Sequence, residues 1–217
     1  MSDAVKQEVA GYRVPQDTVE HPFSFEEVIK GSRFIARLAF TPTVEDAKAF
    51  INYFNQTEPD ATHHCWAYII GNPASTTLIA CSDDGEPNGT AGMPMLNVLQ
   101  HSDVGDITAV VTRYYGGTKL GTGGLARAYG GSVKQSMDQI KLGSRIYTEK
   151  FDLTCAYDLQ KQVEYLLKEA QAEIEQTDFA EQVTIRAKVP QNTLPELEVA
   201  LEAYINRNQL EVTKVTC

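Results

Sequence analysis

An α+β fold in two domains is predicted for this chain of 217 residues, and three observations predict it. The length suits one large domain or two small ones. Eleven of the 15 glycines lie between Gly85 and Gly131, and none follows Gly143. Strand-like alternation and helix-like spacing of apolar residues occur on both sides of this change in composition. We therefore expect domains at 1–142 and 143–217, with a hinge at Gly143-Ser144.

The first domain opens with two predicted strands, at Phe23–Ile29 and Phe34–Phe40. Thr43, with Asp46 after it in the position of a capping box, is expected to begin a helix. The apolar face of that helix is formed by Ala47, Phe50, Ile51 and Phe54. The remaining elements are strands near Cys65–Ile70 and Thr76–Cys81, a short helix at Met95–Gln100, an apolar strand at Ile107–Tyr115 that is expected to be buried on both faces, and a helix at Leu125–Ile140.

The second domain has the clearer pattern. Its strands are predicted at Phe151–Tyr157, Ala172–Phe179, Val183–Val189 and Leu210–Val215, and its helices at Leu159–Ala170 and after the capping-box sequence Thr193–Glu196. The resulting order, β-α-β-β-α-β, is typical of the ferredoxin-like fold. Because that fold carries many functions, it assigns none.

Charge and composition narrow the function classes. The chain has 19 basic and 29 acidic side chains, a net charge of −10, which disfavours a general nucleic-acid or anionic-membrane binder but not a local basic patch. No run approaches the roughly 18 apolar residues of a membrane span, and the N-terminal sequence MSDAVKQEVAGYRVPQ lacks the apolar core of a signal peptide. The separated cysteines, with no C-x-x-C, indicate reduced structural thiols and a cytoplasmic protein. They are Cys65, Cys81, Cys155 and Cys217.

The most informative segment is 107–137, which contains no acidic residue. Its glycines could let several backbone N–H groups converge on an anion at the start of a helix, beside cationic and aromatic side chains. The alternative is a tight turn whose glycines only permit close packing. The candidate residues for binding an anion or nucleic acid are Arg113, Tyr114, Tyr115, Gly116, Gly117, Lys119, Gly121, Gly123, Gly124 and Arg127. Arg113 is expected to anchor phosphate, whereas Lys134, further along the helix, should act only at long range. The competing interpretation makes Arg113 a structural ion-pair partner of Asp83, Asp84 or Glu86.

Other motifs are weaker. Asp83, Asp84 and Glu86 could hold Mg²⁺ against a bound phosphate, but an acidic loop is also typical of a solvated turn. The pattern G-x-G-x-x-A at 121–126 lacks the acidic residue that a dinucleotide site needs, and no phosphate-binding Walker motif occurs. The sequence His63-His64-Cys65 is expected to serve core packing rather than zinc binding or nucleophilic catalysis. We therefore expect no cofactor and assign no catalytic residue.

A longer pattern runs through the same region. It begins at Gly92, passes through spaced aliphatic residues to Val110-Val111, and continues as Arg113-Tyr114-Tyr115-Gly116-Gly117 before Leu120-Gly121. The spaced aliphatic residues are Met95, Leu96, Leu99 and Val104. With HHCWAY and DDGEPNGTAGMP before it, this pattern resembles the signature of the IMPACT/YigZ family, in its bacterial form. The ferredoxin-like order fits the second domain of those members, so the resemblance covers nearly the whole chain.

The resemblance implies an architecture and a setting. The family's first domain resembles the left-handed βαβ fold of domain IV of elongation factor G, and its second resembles domain V of that factor. Because these relatives work on the ribosome, we expect a translation-linked protein that binds RNA, the ribosome or a translation-associated protein. Eukaryotic members restrain a starvation-sensing kinase largely through an added RWD domain, which we do not find in this sequence, so that role is not carried over. The alternative is a metal-assisted hydrolase acting on a phosphate-bearing or peptide substrate.

Overall fold

The computed structural model describes residues 11–215, which contain five helices and eleven strands. Their contacts divide into two compact units: the first unit is Tyr12–Arg145, and the chain from Ile146 onward belongs to the second unit. The expectation about Cys217 lies outside the described residues, as does most of the N-terminal segment judged against a signal peptide. None of the described helices is long and apolar enough to cross a membrane.

The first unit is built around a five-stranded antiparallel sheet with the strand order β2-β3-β6-β4-β5. The elements from Gly11 to Ile146 are β1 (Gly11–Pro15), β2 (Phe23–Ile29), β3 (Ser32–Phe40), α1 (Val44–Thr57), β4 (His63–Ile70), β5 (Leu78–Ser82), α2 (Gly92–Gln100), β6 (Ile107–Tyr114), α3 (Thr122–Met137) and β7 (Leu142–Ile146).

Helices cover both faces of this sheet. On one face α1 packs Phe50 and Phe54 against the sheet in one apolar cluster. On the other face α2 and α3 pack in a larger cluster that includes Met95 and Tyr129. The central strand β6 is buried from Ile107 to Arg113, which confirms the expectation that it is covered on both faces.

A two-stranded sheet joins the ends of the first unit, and the sequence patterns did not predict it. β1 pairs with β7, and the Gln16 N–H donates to the Lys141 carbonyl at 2.9 Å. The expected hinge at Gly143-Ser144 is therefore wrong, because both residues lie inside a paired strand. Arg145 on the same strand forms an ion pair with the buried carboxylate of Asp106, so the contacts divide after Arg145.

The second unit has the β-α-β-β-α-β order that its sequence predicts. Its elements are β8 (Thr148–Cys155), α4 (Gln160–Glu169), β9 (Glu173–Phe179), β10 (Val183–Pro190), α5 (Leu194–Ile205) and β11 (Leu210–Lys214). The four strands form one antiparallel sheet in the order β11-β8-β10-β9. Alternate residues of β8 and β10, such as Leu153 and Ile185, pack against α4 and α5, which confirms the alternation of apolar residues along these strands.

The two expected helix caps have different outcomes. The Thr43 hydroxyl accepts the Asp46 N–H at 3.1 Å, which confirms the first cap. The Thr193 hydroxyl does not cap α5 and instead donates to the Ala170 carbonyl at 2.7 Å. The capping-box expectation at Thr193–Glu196 is therefore wrong, because a tertiary acceptor competes for the hydroxyl.

Candidate nucleic-acid interface

The candidate residues lie where β6 ends and the chain turns into α3. Successive side chains of a strand point to opposite faces of the sheet. Arg113 lies on the face covered by α2 and α3, with its guanidinium 5.4 Å from the centre of the Phe34 ring. Tyr114 lies on the other face and donates its hydroxyl to Glu58 at 2.7 Å. The strand therefore separates these two candidates.

Arg113 is buried, with 4% of its surface exposed. Its Nη1 donates to Glu86 Oε1 at 2.5 Å, and its Nη2 donates to the Ser32 hydroxyl at 3.2 Å. The guanidinium also lies 5.4 Å from the centre of the Tyr115 ring. The expectation that Arg113 anchors phosphate is therefore corrected, because its charge is already paired with Glu86 inside the protein, as the competing interpretation predicts.

Glu86 is the acceptor that joins this buried cluster. Its carboxylate is 3% exposed and accepts, besides Arg113, the Tyr129 hydroxyl of α3 at 2.8 Å. The Nε2 atom of His63 lies 3.8 Å from the same oxygen. The Nε of Arg113 is buried without a hydrogen-bond partner. The cluster thus connects β6 and α3 to the acidic loop, Asp83–Gly89, while the Nε of Arg113 makes no hydrogen bond.

The other two acidic candidates bind backbone groups. Asp83 accepts the N–H groups of Gly89, Ala91 and Gly92 at 2.7–2.9 Å. Burial alone would raise the pKa of Asp83, but these three donors outweigh it, so the pKa lies below its ordinary value. Asp84 accepts the N–H of His64 at 2.6 Å.

These contacts correct the metal-binding alternative. Each of the three carboxylates has its own protein partners, and in the described part of the chain no three His, Cys, Asp or Glu side chains gather in the arrangement of a metal site. Asp83 and Asp84 serve the turn, and Glu86 neutralises an arginine. The hydrolase alternative therefore loses the ligands on which it depended.

The His-His-Cys sequence serves packing and the acidic loop. Cys65 is fully buried and donates its thiol to the Asp83 carbonyl at 3.0 Å. Burial raises the pKa of this thiol far above its usual range, so it is not a nucleophile. His63 Nδ1 lies 2.7 Å from the Asp84 carbonyl oxygen. In the described range Cys65, Cys81 and Cys155 are free thiols, as the sequence predicts.

The first two glycines of the glycine loop, Gly116–Gly124, are explained by close packing. A Cβ at Gly116 would overlap the Gly31 carbonyl oxygen, and one at Gly117 would overlap the Lys30 carbonyl oxygen. Gly117 also has a φ of +64°, which disfavours any residue with a side chain. The tight-turn alternative therefore accounts for this pair, which packs against the turn between β2 and β3.

Gly123 has no such explanation. It lies in the exposed first turn of α3, its φ is not positive, and a Cβ there would meet nothing within 4 Å. Alanine would stabilise the helix by up to about 1 kcal/mol relative to glycine. The cap residue Gly121 supplies no side-chain acceptor, so the first N–H groups of α3 lack a capping side chain. At Gly123 the backbone is therefore left without a side chain, although neither its conformation nor its packing requires glycine.

Unpaired cations surround this open backbone. Lys119 in the loop and Arg127 on α3 are exposed, and neither forms an ion pair with a described residue. The same holds for Lys30, whose carbonyl accepts the Thr118 N–H at 3.1 Å. Tyr115 is 52% exposed. The sequence analysis did not include Lys30 among the candidate residues, because it lies some 85 residues before the loop. The Lys30-Gly31 pair between two predicted strands does indicate a turn that carries an exposed cation.

Comparisons with known proteins agree with this architecture. The model of the Impact N-terminal domain matches residues 30–137, and that of a domain of unknown function, DUF1949, matches residues 153–202. A solved crystal structure of a hypothetical protein is 40% identical and superposes with a TM-score of 0.69, covering 95% of this chain and 98% of that one. The class is therefore a two-domain α+β protein that joins an Impact N-terminal domain to a ferredoxin-like one.

Two curated relatives place the chain more closely. It is 44% identical to an IMPACT family member of Haemophilus influenzae, over 86% of this chain and 88% of the relative. It is 42% identical to the IMPACT family member YigZ of Escherichia coli, over 89% of this chain and 95% of the relative. The chain belongs to the IMPACT family.

Proposed function

We propose that this chain is a translation-linked binding protein of the cytoplasm that holds an RNA backbone at its glycine loop. Lys119 and Arg127 would supply charge, the first N–H groups of α3 would bind a phosphate, and Tyr115 would stack on a base. Because the net charge is −10, this function requires a local surface without acidic side chains. The segment 107–137 contributes no acidic side chain to this surface, and Glu27 of β2, which lies against α3, accepts the Ser132 hydroxyl at 2.6 Å.

The observation that carries the proposal is the position of Gly123, in the uncapped first turn of α3 beside the exposed cations Lys119 and Arg127. A glycine in a helix costs stability, and no contact within the described residues explains this one. Gly131 of the same helix also has room for a Cβ, but it lies two turns further on, away from these groups. A partner that approaches the backbone closely does explain it, since a Cβ would stand in its path. The unpaired charges of Lys119 and Arg127 indicate that this partner is an anion.

Arg113 has a supporting role in this proposal. Its buried guanidinium lies against the ring of Tyr115 and holds Glu86, which also binds Tyr129 of α3. It would therefore fix the stacking side chain and α3 relative to each other. A residue that positions a site without touching the ligand affects stability first and affinity second.

The second unit is the weaker candidate for RNA binding. Its sheet face away from α4 and α5 carries ion pairs, among them Arg186–Asp152 at 2.7 Å and Lys188–Glu175 at 2.6 Å. The alternate positions of β8 and β10 on this face hold no aromatic side chain on which a base could stack. This contrast supports placing the surface in the first unit.

The setting in translation belongs to the same proposal. We infer that the two units correspond to domains IV and V of elongation factor G, so that ribosomal RNA or a translation-associated protein would be the partner. The strand order β11-β8-β10-β9 of the second unit supports the ferredoxin-like half of this likeness. The link to the ribosome depends on the family resemblance and on that likeness.

Salt-dependent RNA binding tests the proposal. Fluorescence anisotropy with a labelled single-stranded RNA of about a dozen nucleotides would be measured between 50 and 200 mM salt, conditions over which phosphate contacts change affinity by orders of magnitude. The slope of log K against log salt is negative, and we expect its magnitude to be smaller by about 0.7 in Lys119→Ala than in the wild type. Arg127→Ala should show a reduction of the same size, because each variant loses one phosphate contact.

Lys134→Ala is the matched control, since Lys134 is an exposed cation of the same helix, away from the loop. It should leave the slope nearly unchanged. Equal slopes in Lys119→Ala, Arg127→Ala and Lys134→Ala would contradict the proposed surface, and so would the absence of RNA binding at 50 mM salt.

A further inference from the structure

An aromatic-lined cavity of about 700 Å³ lies on the opposite face of the sheet, against α1. Three rings of α1 line one side, those of Phe50, Tyr53 and Phe54. Residues Val19–Pro22, between β1 and β2, also line it, as does Arg37 of β3. Small-molecule sites have volumes of about 300–1,000 Å³, so the cavity has the size of a site for one small ligand.

The rings form a connected aromatic wall, in which Phe50 and Phe54 are each only 3% exposed and Tyr53 supplies the accessible face. The ring centres of Phe50 and Phe54 are 5.1 Å apart at nearly a right angle, and so are those of Tyr53 and Phe54. Tyr53 is 57% exposed although it belongs to this wall. An exposed aromatic side chain beside a concave apolar surface offers a ligand both contact area and a π-face.

The charges that line the cavity are mostly negative. Arg37 is neutralised, because its Nη2 lies 2.6 Å from Glu58 Oε1 and its guanidinium stacks 4.6 Å above the Phe54 ring centre. Glu20 and Asp46 also line the cavity, and neither forms an ion pair in the described part of the chain. A hydrogen bond from Thr18 lowers the pKa of Glu20, so this carboxylate is ionised at neutral pH.

We propose that this cavity binds a small amphipathic amine, a molecule with an apolar body of about the size of one aromatic ring and a protonated nitrogen. The body would pack on the exposed ring of Tyr53 and on Val19 and Pro22, which also line the cavity. The ammonium would lie between the Glu20 and Asp46 carboxylates and the Tyr53 π-face. Three carboxylates against one paired guanidinium favour a cation, disfavour a carboxylate ligand and give no advantage to a neutral one. The site is independent of the RNA surface, which lies on the face covered by α2 and α3.

Three related probes separate these possibilities: 2-phenylethylamine, 2-phenylethanol and 3-phenylpropionate. Each would be titrated into the ¹⁵N-labelled full chain at low salt, with amide chemical shifts of Val19–His21 and α1 as the readout. We expect the amine to bind most tightly, the alcohol more weakly and the carboxylate weakest. Glu20→Gln should weaken amine binding about two- to fivefold, the range of a solvent-exposed ion pair, and leave alcohol binding unchanged.

Asp138→Asn is the matched control, because Asp138 is an exposed carboxylate of the same unit that does not line the cavity. Tyr53→Ala removes one ring from the wall and should weaken both the amine and the alcohol. Equal affinities for amine and alcohol, tighter binding of the carboxylate, an amine affinity unaffected by Glu20→Gln, or shifts confined to other parts of the chain would each overturn the proposal.

Discussion

In the first unit the Arg113–Glu86 pair is buried, with side-chain exposures of 5% and 3%, whereas in the second unit the Arg186–Asp152 pair is 43% and 24% exposed. Both are arginine–carboxylate pairs with short contacts. Through Tyr129 and Ser32 the buried pair also joins four parts of the first unit, namely β6, the acidic loop, α3 and β3. The exposed pair joins only two neighbouring strands.

The contrast indicates which charged side chains contribute most to the stability of this chain. A surface pair contributes about 0–1 kcal/mol, because water screens it and its side chains lose freedom on pairing. Breaking a buried pair costs about 3–5 kcal/mol, because the remaining charge stays desolvated without its partner. The next three predictions test this difference, in order of the size of the expected effect.

Removal of one buried charge should have the largest effect. Arg113→Ala leaves Glu86 buried and without its guanidinium, so the free energy of unfolding of the first unit should fall by about 3–5 kcal/mol. Trp66 is the single tryptophan of the chain and lies in β4, so its fluorescence in a urea titration reports this unit.

The double variant Arg113→Met with Glu86→Gln is the control for that measurement. It removes both charges while keeping an acceptor for the Tyr129 hydroxyl, so it should recover part of the lost stability. A loss below about 1 kcal/mol in Arg113→Ala would show that this pair behaves like a surface pair.

Substitution of Asp83 should lower the free energy of unfolding by less than Arg113→Ala does, and its effect should depend on pH. Asp83→Ala leaves three backbone N–H groups without their acceptor, so unfolding should become easier by about 1–3 kcal/mol at pH 7. Because the folded pKa of Asp83 lies below its ordinary value of 3.8, its contribution is complete above that value and is lost as the pH falls through the folded pKa. The difference between the wild type and Asp83→Ala should therefore shrink below about pH 4.

Asp83→Asn retains one carbonyl acceptor and should lose less stability than Asp83→Ala. A difference between wild type and Asp83→Ala that stays constant from pH 7 to pH 3 would contradict the role of the ionised carboxylate in ordering the acidic loop.

The exposed pair should show the smallest effect on stability. Asp152→Ala should destabilise the second unit by less than about 1 kcal/mol, and salt should reduce even that. Hydrogen exchange of the β10 amides from Val183 to Val189 reports this unit. A loss as large as that of Arg113→Ala would remove the contrast between the two units.

Most of the architecture could be predicted from the sequence because it follows from apolar periodicity. The alternating strand Val183–Pro190 and the helix capped by Thr43 lie where their patterns place them. The strands Gly11–Pro15 and Leu142–Ile146 could not be predicted, since they are short, contain few apolar residues and pair across the whole first unit. The Thr193 cap failed for a similar reason, because its competing acceptor, the Ala170 carbonyl, is distant in sequence.

The candidate site could be predicted only in part from the sequence. The acid-free segment and its glycines located the loop, and the sequence allowed Arg113 to be a phosphate anchor or an ion-pair partner of the acidic loop. It could not decide between these roles, because the burial of Arg113 against Glu86, 27 residues earlier, depends on the tertiary fold. The alternation along β6 does separate Arg113 from Tyr114, and that signal was available. Local sequence also could not distinguish Gly117, which packing requires, from Gly123, which packing does not explain.

The measurement that tests the central claim most directly compares Gly123→Ala with Gly131→Ala. Both glycines lie in α3, and an added Cβ at either position meets nothing within 4 Å. Each substitution should therefore stabilise the helix by up to about 1 kcal/mol. In RNA anisotropy at low salt, we expect Gly123→Ala to bind about tenfold more weakly, because its Cβ would stand in the path of the phosphate. A charge-assisted backbone contact to phosphate contributes roughly 1.5–3 kcal/mol. Gly131→Ala should bind like the wild type. Equal RNA affinities of the two stabilised variants would contradict the claim that the open backbone of the glycine loop holds the RNA.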